Sequence, residues 1–288
     1  MSAADVATAP IARRSSTVGA SWRLLRSELR MITGRRRNQA GLLVLASVPV
    51  LIAIALKFSQ PRHGRGPDFM SAATSNGIFV ALTALTIELA LFLPLAVATL
   101  SGDAIAGEAN IGTLRYLLTV PVHRTRLLAI KYVSLVIGGF IGVIVVAATG
   151  LLVGGILFGL GPATLLSGNE ATLLDALGRL GLTVLYLGLC LAGLAAIGLF
   201  ISTLTEQPIG AMIAVTVVST AMWILDGIPQ VEWLHPWLLV HYWPAFADLF
   251  RDPMFFDQMG QGLLLTAAYV VVFLALAWAR FSQKDITS

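Results

Sequence analysis

Few residues of this sequence could carry out chemistry, and they form no complete catalytic or metal-binding pattern. His235 and His241 share one segment with Asp248, and imidazole and carboxylate groups are zinc ligands. However, the sequence contains no His-x-x-x-His pair, and Cys190 is its only cysteine. We therefore predict interfacial histidines, no bound metal, no intramolecular disulfide and no redox role for Cys190.

The hydroxyl residues of the apolar runs lack the partners that nucleophilic catalysis needs. Ser219 and Thr220 have no buried histidine or lysine near them in sequence, so an intramembrane protease is not indicated. No Gly-x-x-x-x-Gly-Lys-[Ser/Thr] motif occurs, so the chain has no recognisable nucleotide site of its own. The sequence predicts a protein that is not itself an enzyme and binds no cofactor.

One carboxylate lies where it is energetically costly. Glu88 is close to the middle of the apolar run 78–100, and an acid at that depth normally faces protein or a water-filled cavity. Two interpretations stay open. Glu88 is either a structural group, protonated or hydrogen-bonded to a neighbouring helix, or a group that lines a pathway and contacts a substrate.

The elements that position these residues are membrane helices. Hydrophobic residues make up 57% of the chain, charged residues 12%, and the mean hydropathy is +0.84. These values indicate an all-α membrane protein, because each span needs about 20 mostly apolar residues. With no length left for a soluble catalytic domain, we predict six transmembrane helices, within residues 40–56, 78–100, 127–160, 173–203, 209–225 and 260–278.

The basic residues set the predicted orientation. Eight of the 19 Lys and Arg lie in the first 37 residues, beside the first span. That pattern is typical of an orientation signal and of contact with anionic membrane lipid, and it argues against a nucleic-acid partner. With six spans, 14 of the 19 fall on the side of both termini. We predict a multi-pass protein of the cell inner membrane with both termini cytoplasmic.

The N-terminal region divides into two parts before the membrane domain 38–288. Residues 1–20 are polar and predict a disordered cytoplasmic tail, whereas 21–37 predict an amphipathic helix lying on the membrane surface. Glu28 falls on the apolar side of this helix. It is either a surface charge that reaches the solvent or one partner of a salt bridge to another part of the bundle.

Several features of the spans predict packing. Glycines four residues apart in the third span, such as Gly150 and Gly154, indicate close approach of helix backbones, with a hinge as the alternative. Asp175 and Arg179 are one turn apart and predict an exposed or interfacial pair of little energetic weight. The outer-leaflet segment 226–258 predicts one or two short helices and places aromatic residues at the headgroup boundary, namely Trp233, Trp237, Tyr242 and Trp243.

The longest polar interruption on the basic side is 102–126. Its glycines, Gly107 and Gly112, permit sharp turns at the membrane surface, and Glu108 complements the charge of a nearby helix start. A short helix over 113–119, ended by Pro121, would present an apolar knob suited to a groove on a partner protein. The knob consists of Leu114, Tyr116, Leu117 and Leu118.

This segment closely resembles the signature of ABC type-2 permeases, the membrane subunits of six-span ABC exporters. The residues that carry the resemblance are Gly102-Asp103, Gly107-Glu108, Gly112-Thr113, Leu117-Leu118, Pro121 and Arg124, followed by Lys131. The resemblance implies that the segment is a cytoplasmic coupling helix and that the N-terminal helix is a connecting helix beside a separate ABC ATPase, which binds ATP and Mg. It also implies a second permease copy, in a homodimer or heterodimer, and a second coupling turn at Glu206, Gln207 and Pro208.

The expected function is export of an amphiphilic compound, such as a drug, antibiotic or lipid, with Glu88 as the pathway candidate. An alternative is an ABC-type membrane component that matures or assembles an extracytoplasmic protein. A gradient-driven carrier is a further alternative, but it should show an internal repeat with broken helices, and we find no convincing repeat.

Overall fold

The structure is a computed structural model that describes residues 17–58, 76–110 and 124–283. Most of these residues are helical. Two 3₁₀ helices, Pro229–Trp237 and Trp243–Phe250, lie between the last two α-helices. The α-helices are α1 (Thr17–Gly34), α2 (Arg36–Phe58), α3 (Gly77–Ala90), α4 (Phe92–Gly102), α5 (Arg124–Phe158), α6 (Leu173–Leu204), α7 (Pro208–Asp226) and α8 (Asp257–Gln283).

Five of these helices are long and apolar enough to cross a membrane: α2, α5, α6, α7 and α8. The sixth predicted span is a bent pair, α3 and α4, which meets the same requirement when the two helices are taken together. The chain is therefore an all-α, multi-pass membrane protein. The positions of α1 and of residues 111–123 relative to a membrane stay predictions, as does the tail, of which 1–16 lie outside the described residues.

The helices begin and stop at two opposite ends of the bundle, which we call the basic end and the far end. At the basic end, α1 meets α2, α5 begins and α8 stops, and Arg126 Nε donates to Ser21 Oγ at 2.7 Å. At the far end, α3 begins beside the end of α5, and the Gly77 N–H donates to the Gly159 carbonyl at 3.0 Å. All positions below are given relative to these two ends.

Helix α3 lies in the centre of the bundle and is buried along most of its length. It packs on α5 through small residues, since a Cβ built at Gly150 would lie only 2.6 Å from the Cα of Ala81. Gly154 and Gly77 approach each other in the same way one turn further along. The predicted close packing of the third-span glycines is thus confirmed at Gly150 and Gly154.

The second span is broken. Helix α3 meets the helical stretch 92–110, which begins with α4, at an angle of 54°, and Leu91 between them has φ −144° and ψ −57°, outside the helical region. Pro94 accounts for the position of the break, because proline has no N–H and its ring collides with the carbonyl four residues earlier, that of Ala90. The sequence predicted a single span over 78–100, without this bend.

After α4 the chain stays helical instead of turning. Asp103–Gly107 forms a π-helical turn and Glu108–Asn110 a further helical turn. Ser202 of α6 explains the irregular turn, because its Oγ accepts hydrogen bonds from the backbone N–H groups of Ile105 and Ala106, at 3.2 and 3.0 Å. The chain therefore makes no sharp turn at Gly107, the residue at which the π-helical turn ends.

The far end is closed by a short hairpin and by Arg179. Strands β1 (Ala163–Thr164) and β2 (Glu170–Ala171) pair antiparallel just before α6. Arg179 bonds Asp175 Oδ2 at 2.9 Å and donates to the backbone carbonyls of Leu249 and Arg251, at 2.6 and 2.9 Å. Arg179 is buried and bonds three residues, so the predicted little weight of an exposed or interfacial pair is wrong for this residue.

The aromatic residues of segment 226–258 divide into two groups. Trp233 and Trp237 are 74% and 65% exposed, as a position at a headgroup boundary requires. Trp243 is fully buried and Tyr242 nearly so, because the 3₁₀ helix Trp243–Phe250 packs against α6 and the start of α3. For Tyr242 and Trp243 the predicted interfacial position is therefore wrong.

Candidate functional site

The feature that sets the basic end apart is Lys131, a buried lysine on α5. Its side chain is 3% exposed, and its Nζ lies 2.8 Å from Glu28 Oε1 of α1. It forms a second ion pair with Glu108, in the helical turn that follows α4. Glu28 and Glu108 are buried as well. Of the two interpretations of Glu28, the structure confirms the salt bridge to another part of the bundle.

A second set of ion pairs lies beside the first. Asp103, in the π-helical turn, bonds Arg35 Nη1 at 2.7 Å and also pairs with Arg37 Nη2. We call these six residues the basic-end cluster: Glu28, Arg35, Arg37, Asp103, Glu108 and Lys131. The cluster therefore holds three carboxylates and three cations and joins α1, α2, α5 and the residues after α4.

The corner between α1 and α2 places the two arginines. Helix α1 ends at Gly34 and α2 begins at Arg36, so the chain turns within one residue. The side chain of Asn38 donates to the Ile32 carbonyl at 2.9 Å, and that of Gln39 donates to the Thr33 carbonyl at 3.0 Å. These bonds satisfy carbonyls that the last turn of a helix leaves without partners, and they stabilise the corner that aims Arg35 and Arg37 at Asp103.

The electrostatics make the cluster sensitive to the loss of any member. A buried charge is costly unless it is paired, and removal of one partner from a buried pair leaves the other charge uncompensated. Lys131 compensates two carboxylates at once, so it is the residue on which the arrangement most depends. A cavity of about 30 Å³ lies among the cluster residues and is large enough for a water molecule.

A second, apolar cavity of about 200 Å³ opens next to the cluster. Most of its wall is contributed by α2, α4 and α5, with residues such as Leu42, Phe92 and Gly142. Arg37, Asn38, Thr33 and Thr99 form the polar part of the wall. The cavity thus offers an apolar surface with polar and charged groups on one side.

Glu88 is the opposite of the cluster carboxylates. It is fully buried, and neither carboxyl oxygen has a hydrogen-bond partner in the part of the chain that the structure describes. It lies in the last turn of α3, three residues before the break at Leu91. Glu88 lines neither of the two cavities above.

A family model described as a protein of unknown function, DUF2705, matches residues 48–287, most of the chain. The chain belongs to this family. The DUF2705 match begins inside α2, so it includes Asp103, Glu108 and Lys131 but leaves out α1 with Glu28. No curated protein gave a significant match.

In this DUF2705 chain, the predicted coupling residues fall partly outside the described residues. Gly107, Glu108 and Arg124 are described, and Arg124 Nη1 donates to the carbonyls of Phe281 and Ser282, at 3.2 and 2.7 Å. The others lie in 111–123, outside the described residues, and their roles stay predictions: Gly112, Thr113, Leu114, Tyr116, Leu117, Leu118 and Pro121.

The second predicted turn lies beside the end of α4. Glu206 and Gln207 are exposed between α6 and α7, and Pro208 is the first residue of α7. A Cβ built at Gly102, the last residue of α4, would lie 2.7 Å from the Pro208 carbonyl oxygen. The turn therefore lies at the basic end, beside the π-helical turn that contains Asp103.

Partial signals for the cluster are present in the sequence. Asp103, Glu108 and Lys131 are all in the motif, but nothing in their spacing assigns Lys131 as the partner of Glu108. Arg35 and Arg37 belong to the basic N-terminal region that predicts the orientation, and their bonds to Asp103 connect residues more than 60 positions apart. Only the folded bundle brings these groups together.

Proposed function

We propose that this chain is the membrane subunit of an ATP-driven ABC exporter, a type-2 permease that couples ATP hydrolysis on a separate cytoplasmic subunit to export of an amphiphilic compound. The observation that carries the proposal is the basic-end cluster. One of its members, Glu108, lies in the helical turn that directly precedes residues 111–123. The proposal joins this observation to the motif resemblance described above.

The described residues on both sides of 111–123 bond to several helices. Residues 111–123 connect Asn110 to Arg124. Glu108 on one side is paired with Lys131, and Arg124 on the other side bonds the end of α8. A displacement of this segment by a partner protein is therefore transmitted to α4, α5 and α8 together, and through Glu28 to α1. Such a transmission is what a coupling helix needs.

The energy for transport would come from a partner subunit. The sequence has no phosphate-binding loop, so ATP and Mg would bind to a cytoplasmic ABC ATPase. A second permease copy, in a homodimer or heterodimer, would complete the pathway, with the second and fifth spans lining it by family resemblance. The exposed apolar side of α7, which includes Ile209, Ile213 and Val217, is available to that copy or to lipid.

The apolar cavity and Glu88 indicate the kind of compound that would be exported. The cavity of about 200 Å³ combines a mostly apolar wall with polar groups at Arg37, Asn38 and Thr33, which suits an amphiphile. Glu88 is the pathway candidate, because an unpaired buried carboxyl next to a broken helix can pair with a cationic group when the bundle rearranges. We expect Glu88→Gln to reduce transport of cationic amphiphiles and to leave that of neutral ones unchanged.

A gradient-driven carrier is less well supported. Carriers built from inverted repeats place broken helices at corresponding positions of both halves. Within 17–58, 76–110 and 124–283, the only bent pair of this kind is α3 with α4.

Copurification tests the proposal. The full chain is expressed with candidate ABC ATPase subunits, purified in detergent, and assayed for a bound ATPase and for ATP hydrolysis. We expect a stable complex whose hydrolysis is stimulated by amphiphilic compounds. Leu117→Asp should reduce complex formation and stimulated hydrolysis at least about tenfold, and Leu117→Ile at the same position should retain both. Absence of any ATPase complex, or equal behaviour of the two variants, would refute the proposal.

A further inference from the structure

Three side chains with metal-binding groups come together at the far end, away from the basic-end cluster. Asp226 is the last residue of α7, His235 lies in the 3₁₀ helix Pro229–Trp237, and His241 follows that helix. One ligand atom from each of the three lies within 4.8 Å of the others, and all three side chains are partly buried. The sequence analysis considered both histidines, but with another carboxylate, Asp248, which in the structure pairs with Arg251 at 3.1 Å.

The hydrogen bonds of both imidazoles assign their protonated nitrogens. His235 Nε2 lies 3.2 Å from the carbonyl oxygens of Leu225 and Ile228. Carbonyls only accept, so Nε2 carries the hydrogen and Nδ1 keeps its lone pair. His241 Nδ1 lies 2.6 Å from Asp226 Oδ1, which likewise accepts, so Nε2 of His241 keeps its lone pair. His235 therefore retains Nδ1 as a ligand, whereas a cation bound between His241 and Asp226 would replace the hydrogen on Nδ1, and the neutral ring of His241 would then hold its hydrogen on Nε2.

The bonds of His235 resemble the outer contacts of a metal-binding histidine. A histidine ligand typically donates its other N–H to a backbone carbonyl or a carboxylate, and this contact orients the ring. His235 donates to two carbonyls, so its ring is oriented without a metal, whereas the partner of His241 is Asp226, itself a member of the cluster. The ring centroids are 5.8 Å apart.

The local charge favours a cation. Asp226 ends α7, and the C-terminus of a helix carries partial negative charge from its unpaired carbonyls. In the described part of the chain, Asp226 forms an ion pair with His241 and with no lysine or arginine. A divalent ion would therefore meet a carboxylate and a helix terminus with no cation of the protein in between.

We propose that Asp226, His235 and His241 form a binding site for a divalent transition metal of the zinc class. Two imidazoles and one carboxylate are a donor set that zinc accepts, with a fourth position open to water. The bound ion would connect the end of α7 to the segment between α7 and α8. This inference does not depend on the proposed transport function.

The experiment measures Zn²⁺ binding to the full chain in detergent. The protein is purified through a tag that contains no histidine, treated with a chelator and titrated with Zn²⁺ in a calorimeter, and its metal content is measured by mass spectrometry. We expect one saturable site per chain. His241→Ala and Asp226→Asn should each weaken the affinity by more than about tenfold. Asp257→Asn, the same change at an exposed carboxylate outside the cluster, should not alter it.

A second measurement separates binding from a structural effect. Co²⁺ bound by nitrogen and oxygen ligands in a four-coordinate site absorbs visible light, and we expect such a band in the unaltered chain and its loss in His241→Gln, which replaces the imidazole by an amide that can still hydrogen-bond. The inference is wrong if no saturable Zn²⁺ binding occurs. It is also wrong if correctly folded His241→Gln binds Zn²⁺ and Co²⁺ as the unaltered chain does.

Discussion

The broken span consists of α3, the upper half, and α4, the lower half, which leads to the basic end. A buried carboxylate has an ionic partner beyond the lower half and none described in the upper half. Glu108, beyond the lower half, pairs with Lys131, whereas Glu88, in the upper half, has no hydrogen-bond partner among the described residues. A paired charge stabilises one arrangement of the helices, because separating the pair exposes both charges to an apolar environment. An unpaired carboxyl has no such preference. The lower half is therefore the fixed half, and Glu88 is free to acquire a partner from elsewhere.

The change with the largest expected effect removes the centre of the fixed half. Lys131→Met leaves Glu28 and Glu108 buried without their cation, and we expect a loss of about 3–5 kcal/mol in the free energy of unfolding. Thermal unfolding in detergent, followed by tryptophan fluorescence, measures this. Lys57→Met, at an exposed lysine near the end of α2, is the matched control. Equal melting temperatures of the two variants would contradict the assignment of Lys131.

A smaller effect is expected when one carboxylate is neutralised. Glu108→Gln removes one ionic hydrogen bond but leaves Lys131 paired with Glu28, so we expect a loss of about 2 kcal/mol. The same melting assay applies, with the exposed Glu170→Gln as control. If Glu108→Gln were as damaging as Lys131→Met, then Glu28 would contribute nothing to the compensation of Lys131.

The π-helical turn offers a third test of the fixed half. Ser202→Ala removes the acceptor of the Ile105 and Ala106 N–H groups, and we expect a loss of about 1 kcal/mol, the range of polar contacts between membrane helices. Hydrogen exchange of these two amides should become faster, while that of α3 stays unchanged. Ser47→Ala, at an exposed position of α2, should leave the exchange of both amides unaltered.

The smallest effect on stability is expected in the upper half. Glu88→Leu replaces an unpaired buried carboxyl by an apolar side chain of similar size, so the free energy of unfolding should stay the same or rise by about 1 kcal/mol. Glu108→Leu in the same assay should be clearly destabilising. A destabilisation by Glu88→Leu as large as that by Lys131→Met would mean that Glu88 has a partner after all, and the contrast between the halves would disappear.

The fold was largely accessible from the sequence, because hydropathy determines which segments can cross a membrane. The apolar runs predicted the spans, and the glycine spacing predicted close packing of the third span but not that its partner is α3. The bend at Leu91 was missed although Pro94 is visible in the middle of a span, since proline is common in membrane helices and indicates a bend without giving its size.

The candidate site was less accessible, because its contacts are far apart in sequence. Glu28 and Lys131 are separated by about a hundred residues, so the sequence allowed either a surface charge or a salt bridge for Glu28. Arg179 was misjudged for a related reason, since its neighbour Asp175 suggested a local pair while its main partners are backbone carbonyls near residue 250. The apolar character of Trp243 likewise did not distinguish a membrane boundary from the core.

The backbone contact between α3 and α5 restricts how the bundle can move. With Gly150 against Ala81 and Gly154 against Gly77, no side chain separates the two backbones, so a bulkier residue at either glycine would force the helices apart. Helix α4 is held on α5 instead by the ion pair of Glu108 with Lys131. A rearrangement that separates this ion pair would therefore move α4 relative to α3 and α5, with its pivot at Leu91, one turn from Glu88.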